Sequence, residues 1–138
     1  GTARAGSIKN PLFRGGGTVF GPEPRDYTQK LNHKVKQLAR RSALSYKAKE
    51  KAILVVEGLK MDAPKTKDFA GLMKGLELAD NKTLMVLPTP DNNVYKSSRN
   101  LAKHRVMVAS DLSTYDIMNC NTLIFVDDAH KVIEGMLK

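Results

Sequence analysis

The chain has 138 residues, a formal net charge of +9 and one cysteine. This length accommodates one ordinary domain with its own core and an appendage, and a single cysteine excludes an internal disulfide and a multi-thiolate metal site, which fits a reducing, cytoplasmic compartment. No apolar run approaches the roughly 20 residues needed to span a bilayer, so we predict no membrane partner.

The positive charge is concentrated in the first 51 residues. They contain 12 lysines and arginines and 3 acidic residues, a net charge of +9, whereas residues 52–138 contain 11 of each and are neutral. This division predicts a polyanion-binding end carried on a neutral scaffold.

Residues 1–27 are predicted to form an extended, basic N-terminal arm, followed by a globular domain at 28–138. Six of the ten glycines and three of the six prolines fall in the arm, so no regular helix or strand is expected there. A disordered tail or linker is the plain alternative, but Ile8, Leu12, Val19 and Phe20 make the arm too apolar for a spacer. We therefore predict that folded RNA orders it. The arm residues predicted to bind RNA are Arg4, Lys9, Phe13, Arg14, Gly15, Gly16, Gly17 and Arg25.

A basic helix is predicted from an N-cap at Asn32 to about Lys51. Its predicted apolar face contains Val35, Leu38, Ala39, Ala43 and Tyr46, and its opposite face Lys34, Lys36, Arg40, Arg41, Lys47 and Lys49. A charged face is usually only solvated, but Glu50 is the sole acid here, which favours RNA contact.

Four short apolar runs alternate with helical patterns through the rest of the chain. This alternation predicts a three-layer α/β/α sandwich with a mainly parallel four-stranded sheet. The predicted strands are Ile53–Val56, Leu84–Leu87, Val106–Ala109 and Leu123–Val126.

The intervening helices are predicted from spacing and caps. Pro64 is expected in the first turn of a helix whose buried face includes Phe69 and Met73, and Gly71 and Gly75 are expected to mark close packing. Three further helices are predicted. One lies at about 92–99, one begins at a capping box of Ser113 and Asp116, and the last begins after a cap at Asp128.

Lys65 and Lys67 stand at a helix start, where the helix dipole disfavours cations. An anion such as an RNA phosphate docking there would explain their placement, although exposed lysines often occupy such positions at little cost.

An enzyme is the alternative that a doubly wound sheet suggests, since ligands bind at the carboxyl ends of its strands. Carboxylates there could hold Mg²⁺, but Asp128 is better explained as a helix cap and Asp111 as part of a turn. We find no catalytic group, nucleotide-binding loop or metal spacing, and predict a non-enzymatic protein without cofactor or metal. The rim residues considered for Mg²⁺ are Glu57, Thr89, Asp111, Asp127 and Asp128.

The arm sequence resembles one known family. The runs ARAGSIKNPLFRGGG from Ala3, VFGP from Val19 and PRDY from Pro24 are similar to the bacterial large-subunit ribosomal protein L-four family. Further similarity lies in LARRSALS from Leu38, APKTK from Ala63 and RNL from Arg99, so the resemblance covers essentially the whole chain.

The resemblance implies a structural component of the ribosome, in which a long loop threads into large-subunit rRNA and helps to line the nascent-peptide exit tunnel. It implies neighbouring large-subunit ribosomal proteins as partners, a last strand placed between the first and second, and rRNA contacts by the arm and by Arg40 and Arg41. Some relatives also repress their own expression by binding their mRNA leader, which is the alternative function.

Two departures from the family pattern are visible. Thr2 stands where many members have arginine, and the family's N-terminal strand, helix and outgoing limb of the loop are missing. With Gly1 in place of methionine, this leads us to expect a fragment or processed product.

Overall fold

The computed structural model describes residues 3, 4 and 6–137. The chain divides into two compact units, Gly1–Lys30 and Leu31–Lys138. The described part of the first unit contains turns and bends but no helix or strand.

The second unit is built around a four-stranded parallel sheet in the order β1-β4-β2-β3. This confirms the predicted fold class and the place of the last strand between the first two. The elements are α1 (His33–Lys49), β1 (Ile53–Val56), α2 (Thr66–Gly75), β2 (Thr83–Leu87), α3 (Asn92–Ser98), β3 (His104–Val108), a 3₁₀ turn (Ala109–Asp111), α4 (Thr114–Asn119), β4 (Thr122–Val126) and α5 (Ala129–Leu137).

Two apolar clusters pack on the two faces of the sheet, which makes the three layers. Along β2, Leu84 and Val86 belong to one cluster while Met85 and Leu87 belong to the other, because successive side chains of a strand point to opposite faces. The first cluster includes side chains of α1, α4 and α5, and the second includes side chains of α2 and α3. None of the described helices has both the length and the apolar character to cross a bilayer.

Side-chain caps begin two of the short helices. The Asp91 carboxylate accepts hydrogen bonds from the N–H groups of Asn93 and Val94, and the Ser113 hydroxyl accepts one from the Asp116 N–H at 3.1 Å. These contacts satisfy N–H groups that have no partner inside the helix. The predicted start at Ser113 is therefore confirmed.

Several local predictions were wrong. β3 begins at His104, two residues earlier than predicted, since the polar pair His104 and Arg105 hides the start of the strand. Asn32 precedes α1 as predicted, but its side chain makes no cap hydrogen bond, and Pro64 lies outside α2. A Cβ at Gly71 or Gly75 would meet nothing within 4 Å, so these glycines do not mark close packing.

The buried face of α1 also differs from the prediction. Val35, Leu38 and Tyr46, predicted on the apolar face, are 50%, 66% and 57% exposed. Ala43 is buried as predicted, and Lys47, predicted on the opposite face, is buried as well. The helix is thus turned so that Val35, Leu38 and Tyr46 face outward, while Ala43, Leu44 and the long aliphatic stem of Lys47 fit against the core.

The surroundings of His104 lead us to predict that the free energy of unfolding depends on pH. Its ring is buried, Nδ1 lies 2.7 Å from the Thr83 hydroxyl, and burial, with a smaller contribution from the Lys103 charge, lowers the pKa of His104 from its usual value of 6.5. The unfolded chain therefore binds the proton more readily than the folded chain. The free energy of unfolding should be highest above pH 6.5 and fall by up to about 1.4 kcal/mol per pH unit below it.

Urea unfolding between pH 7.5 and 5.5 measures this effect, in a range where carboxylates change little. His33→Ala, at an exposed position of α1, should keep the dependence, whereas His104→Gln should remove it. Equal slopes for the wild type and His104→Gln would contradict the assignment.

Candidate nucleic-acid interface

Residues 7–17 of the arm form a closed loop that we call the knuckle. Three successive turns are made by N–H groups of Asn10, Phe13 and Gly16, which donate to the carbonyls of Ser7, Asn10 and Phe13 at 3.0 Å. The loop is closed by the Gly17 N–H, which donates to the Lys9 carbonyl at 2.9 Å. The extended arm predicted from composition therefore contains a compact element with its own backbone hydrogen bonds.

The knuckle presents apolar and cationic side chains together. Ile8 and Leu12 are 83% and 88% exposed, and Lys9 and Arg14 are exposed as well. Phe13 is 41% exposed. The predicted RNA-binding residues Lys9, Phe13 and Arg14 are thus brought together with the glycine triplet in one short loop.

A second surface of the first unit pairs Arg25 with Tyr27. The guanidinium carbon of Arg25 lies 4.3 Å from the centre of the Tyr27 ring, in cation–π geometry. The Asp26 carboxylate between them accepts the Thr28 N–H at 2.7 Å, and hydrogen bonds from Thr28 lower the pKa of Asp26. Tyr27 was not among the predicted binding residues, although its position two residues after an arginine could have indicated it. Arg4 is exposed, and its guanidinium donates to the neighbouring Ala3 carbonyl at 3.4 Å.

The basic residues of α1 do not share one face. Lys34, Lys36 and Arg41 are exposed, Arg40 is half-buried, and the buried Lys47 places its ammonium 3.6 Å from the Glu50 carboxylate. The prediction of one continuous cationic face was therefore wrong, because Arg40 and Lys47 lie on the side of the helix turned toward the core.

Arg41 and Gln37 also bind the last turn of α5. The Gln37 amide donates to the Met136 carbonyl at 3.0 Å, and the Arg41 guanidinium donates to the Leu137 carbonyl. These contacts satisfy carbonyls at the end of a helix, and a guanidinium retains further N–H donors for another acceptor.

Lys65 and Lys67 are exposed at the start of α2, where Asp68 supplies an acidic group in the first turn. Helix α2 packs on the opposite face of the sheet from α1. The second unit therefore does not bring these two lysines together with the cations of α1.

Three of the carboxylates considered for Mg²⁺ make contacts within the chain. The Asp127 carboxylate accepts the Gly58 N–H at 2.7 Å, Asp128 lies 2.8 Å from the Lys131 ammonium, and Asp111 accepts the Ser110 hydroxyl. The Cys120 thiol is buried at the end of α4, where burial raises its pKa. Within the described residues, no group of three or more His, Cys, Asp or Glu side chains could hold a metal ion.

Known proteins resemble the chain along nearly its whole length. Residues 1–136 match the model of the Ribosomal protein L4/L1 family. The chain is 54% identical over 138 residues to the large ribosomal subunit protein uL4 of Parabacteroides distasonis, and 54% identical over 137 residues to that of Flavobacterium johnsoniae. The protein of the same name from Phocaeicola vulgatus is 52% identical over 137 residues.

These alignments cover 99–100% of the chain and 66% of each relative, so the chain spans about two-thirds of the length of the relatives it matches. The relatives are named as ribosomal proteins, which supports the prediction of a non-enzymatic protein. The family match over residues 1–136, together with these identities, shows that the chain belongs to the ribosomal protein L4/L1 family.

Proposed function

We infer that the chain is a structural component of the large ribosomal subunit that binds large-subunit rRNA through residues 1–51. In this proposal the arm enters the folded rRNA and helps to line the nascent-peptide exit tunnel. The neutral second half of the chain anchors the arm and contacts neighbouring large-subunit ribosomal proteins.

The single observation that carries this proposal is the division of charge. The whole excess of +9 lies in residues 1–51, where most cations are solvent-exposed and only three acids compete for them. Of the four ion pairs among the described residues, only that of Lys47 with Glu50 uses a cation of this segment. The other cations of the segment are available to neutralise phosphates.

Exposed aromatic groups support RNA over other polyanions. Phe20 is 94% exposed and Tyr27 is 74% exposed in a unit that is otherwise rich in glycine and cations. Flat side chains of this kind stack on unpaired bases, which folded RNA presents in loops and bulges and which regular duplexes do not.

Salt dependence of binding tests the mechanism. If about 8 of the 12 cations in residues 1–51 meet phosphates, the logarithm of the affinity should fall against the logarithm of the salt concentration with a slope of about −6 to −7. The measurement is filter binding or fluorescence anisotropy with transcribed large-subunit rRNA of Parabacteroides distasonis, with an RNA duplex of equal length as the control.

A slope near −1, or equal affinity for the duplex, would contradict the proposal. A transcript of the mRNA leader from the same organism serves as a competitor. If the leader displaces the rRNA at comparable concentrations, the same surface also serves a regulatory role. The proposal of rRNA binding is judged separately, by the slope of the salt dependence.

A further inference from the structure

We propose that the knuckle docks into rRNA as one preshaped unit, and that Gly16 is the positioning residue that allows its shape. This rests on the proposed rRNA binding and deepens it. In this proposal the glycine triplet allows the backbone of the loop to close on itself. The side chains on the outside of the closed loop contact the RNA.

The closest contact in the knuckle is at Gly16. A Cβ on this residue would lie 2.1 Å from the Asn10 carbonyl oxygen and 3.0 Å from the Phe13 carbonyl oxygen. Both neighbours are backbone atoms that already accept hydrogen bonds in the same loop, from Phe13 and Gly16. No rotamer change can relieve such a clash, so any side chain at this position opens the loop.

The other glycines of the arm differ from Gly16 in a way that can be tested. A Cβ on Gly17 would lie 3.1 Å from the Lys9 carbonyl oxygen, a tight but adjustable contact. Gly15 has open space around it but a φ of +81°, which disfavours L-residues other than asparagine and aspartate. Gly21 has neither a close neighbour nor a positive φ.

The side chains on the outside of the knuckle indicate its partner. Ile8 and Leu12 project apolar groups almost fully into solvent, with the cations Lys9 and Arg14 beside them and no acidic residue between positions 1 and 22. This combination matches a polyanion that also offers apolar faces, namely an RNA fold with unstacked bases. Closing the loop fixes the backbone positions from which these four side chains project, which lowers the backbone entropy lost on binding.

The test is a series of alanine variants in the full chain, each titrated with the rRNA transcript described above. Affinity should fall roughly tenfold for Gly16→Ala and for Gly15→Ala, by about two- to threefold for Gly17→Ala, and by less than about twofold for the control Gly21→Ala. Gly15→Asn should recover most of the affinity that Gly15→Ala loses, because asparagine accepts the left-handed conformation. The salt slope of Gly16→Ala should equal that of the wild type, since its cations are unchanged.

The outcomes separate the two proposals. If the wild-type chain fails to prefer the rRNA over the duplex, rRNA binding itself is wrong. If the wild type binds with the expected slope but Gly16→Ala binds equally well, the knuckle inference is overturned and rRNA binding stands. Equal losses for Gly16→Ala and Gly21→Ala would also overturn it, because they would show that the glycines act by close approach of RNA to the backbone.

Discussion

Replacing Arg4, Lys9, Arg14 and Arg25 together by alanine is expected to weaken rRNA binding by about 10²- to 10³-fold at 0.1 M salt. All four side chains are exposed, and none forms an ion pair within the described residues. Each one that meets a phosphate releases counterions, so four lost contacts should also reduce the salt slope by about 3. Anisotropy titrations of the variant and the wild type over a range of salt concentrations measure both effects.

A matched control removes the same charge from the neutral half of the chain. Alanine at Lys74, Lys82, Lys96 and Lys131 lowers the net charge equally, and all four of these lysines are exposed. This control should lose less than about tenfold in affinity and keep a slope close to that of the wild type. If the two quadruple variants behave alike, binding depends on net charge and the arm has no special role.

The sheet was largely predictable from the sequence because its strands are short apolar runs. β1 agrees with its predicted bounds although Leu54 and Val55 are exposed. The buried strands β2 and β4, which are apolar on both faces, differ from their predicted bounds by one residue at the start. In β3 the polar residues His104 and Arg105 occupy the first two positions, one buried against Thr83 and the other at 2.7 Å from the Asp116 carboxylate. A run defined by hydrophobicity could not include them.

The orientation of α1 could not be predicted from periodicity. Val35, Leu38 and Tyr46 form the more apolar stripe, yet the helix contacts the core through Ala43, Leu44 and the stem of Lys47. The difference arises because packing depends on the shape available between α4 and α5, where a small residue allows close approach. The hydrophobicity pattern of α1 does not specify the shape of the space into which the helix packs.

The predicted RNA-binding residues are mostly cations and glycines. Composition treats them alike, whereas the structure places them in different surroundings. Lys9, Phe13 and Arg14 lie in the knuckle, whereas Arg40 turns toward the core of the second unit and Arg41 also contacts α5. The hydrogen bond from Gly17 to Lys9 spans eight residues without a recognisable turn motif, so no local rule could predict that closure. RNA binding by these residues stays a prediction.

Phe69→Ala is expected to lower the free energy of unfolding by about 3–5 kcal/mol and the melting temperature by roughly 10–20 °C. Phe69 is 1% exposed and packs with Met73 in the cluster between α2 and the sheet, and its ring centre lies 6.3 Å from that of His104. Because Phe69 is enclosed by this packed cluster, removing its ring leaves a cavity as well as losing the burial of apolar surface. A loss of this size is a large fraction of the stability of an ordinary domain.

Phe20→Ala is the matched control for this prediction, since it removes the same side chain from a position that is 94% exposed. It should change the free energy of unfolding by less than about 0.5 kcal/mol while weakening rRNA binding, because an exposed ring contributes through stacking on bases. Phe69→Leu, which keeps most of the volume, should cost under about 2 kcal/mol and preserve the rRNA affinity even if Phe69→Ala does not fold. Stability and RNA binding should therefore respond to different phenylalanines, and a Phe20 variant that melts as early as Phe69→Ala would show that the arm is part of the folded core.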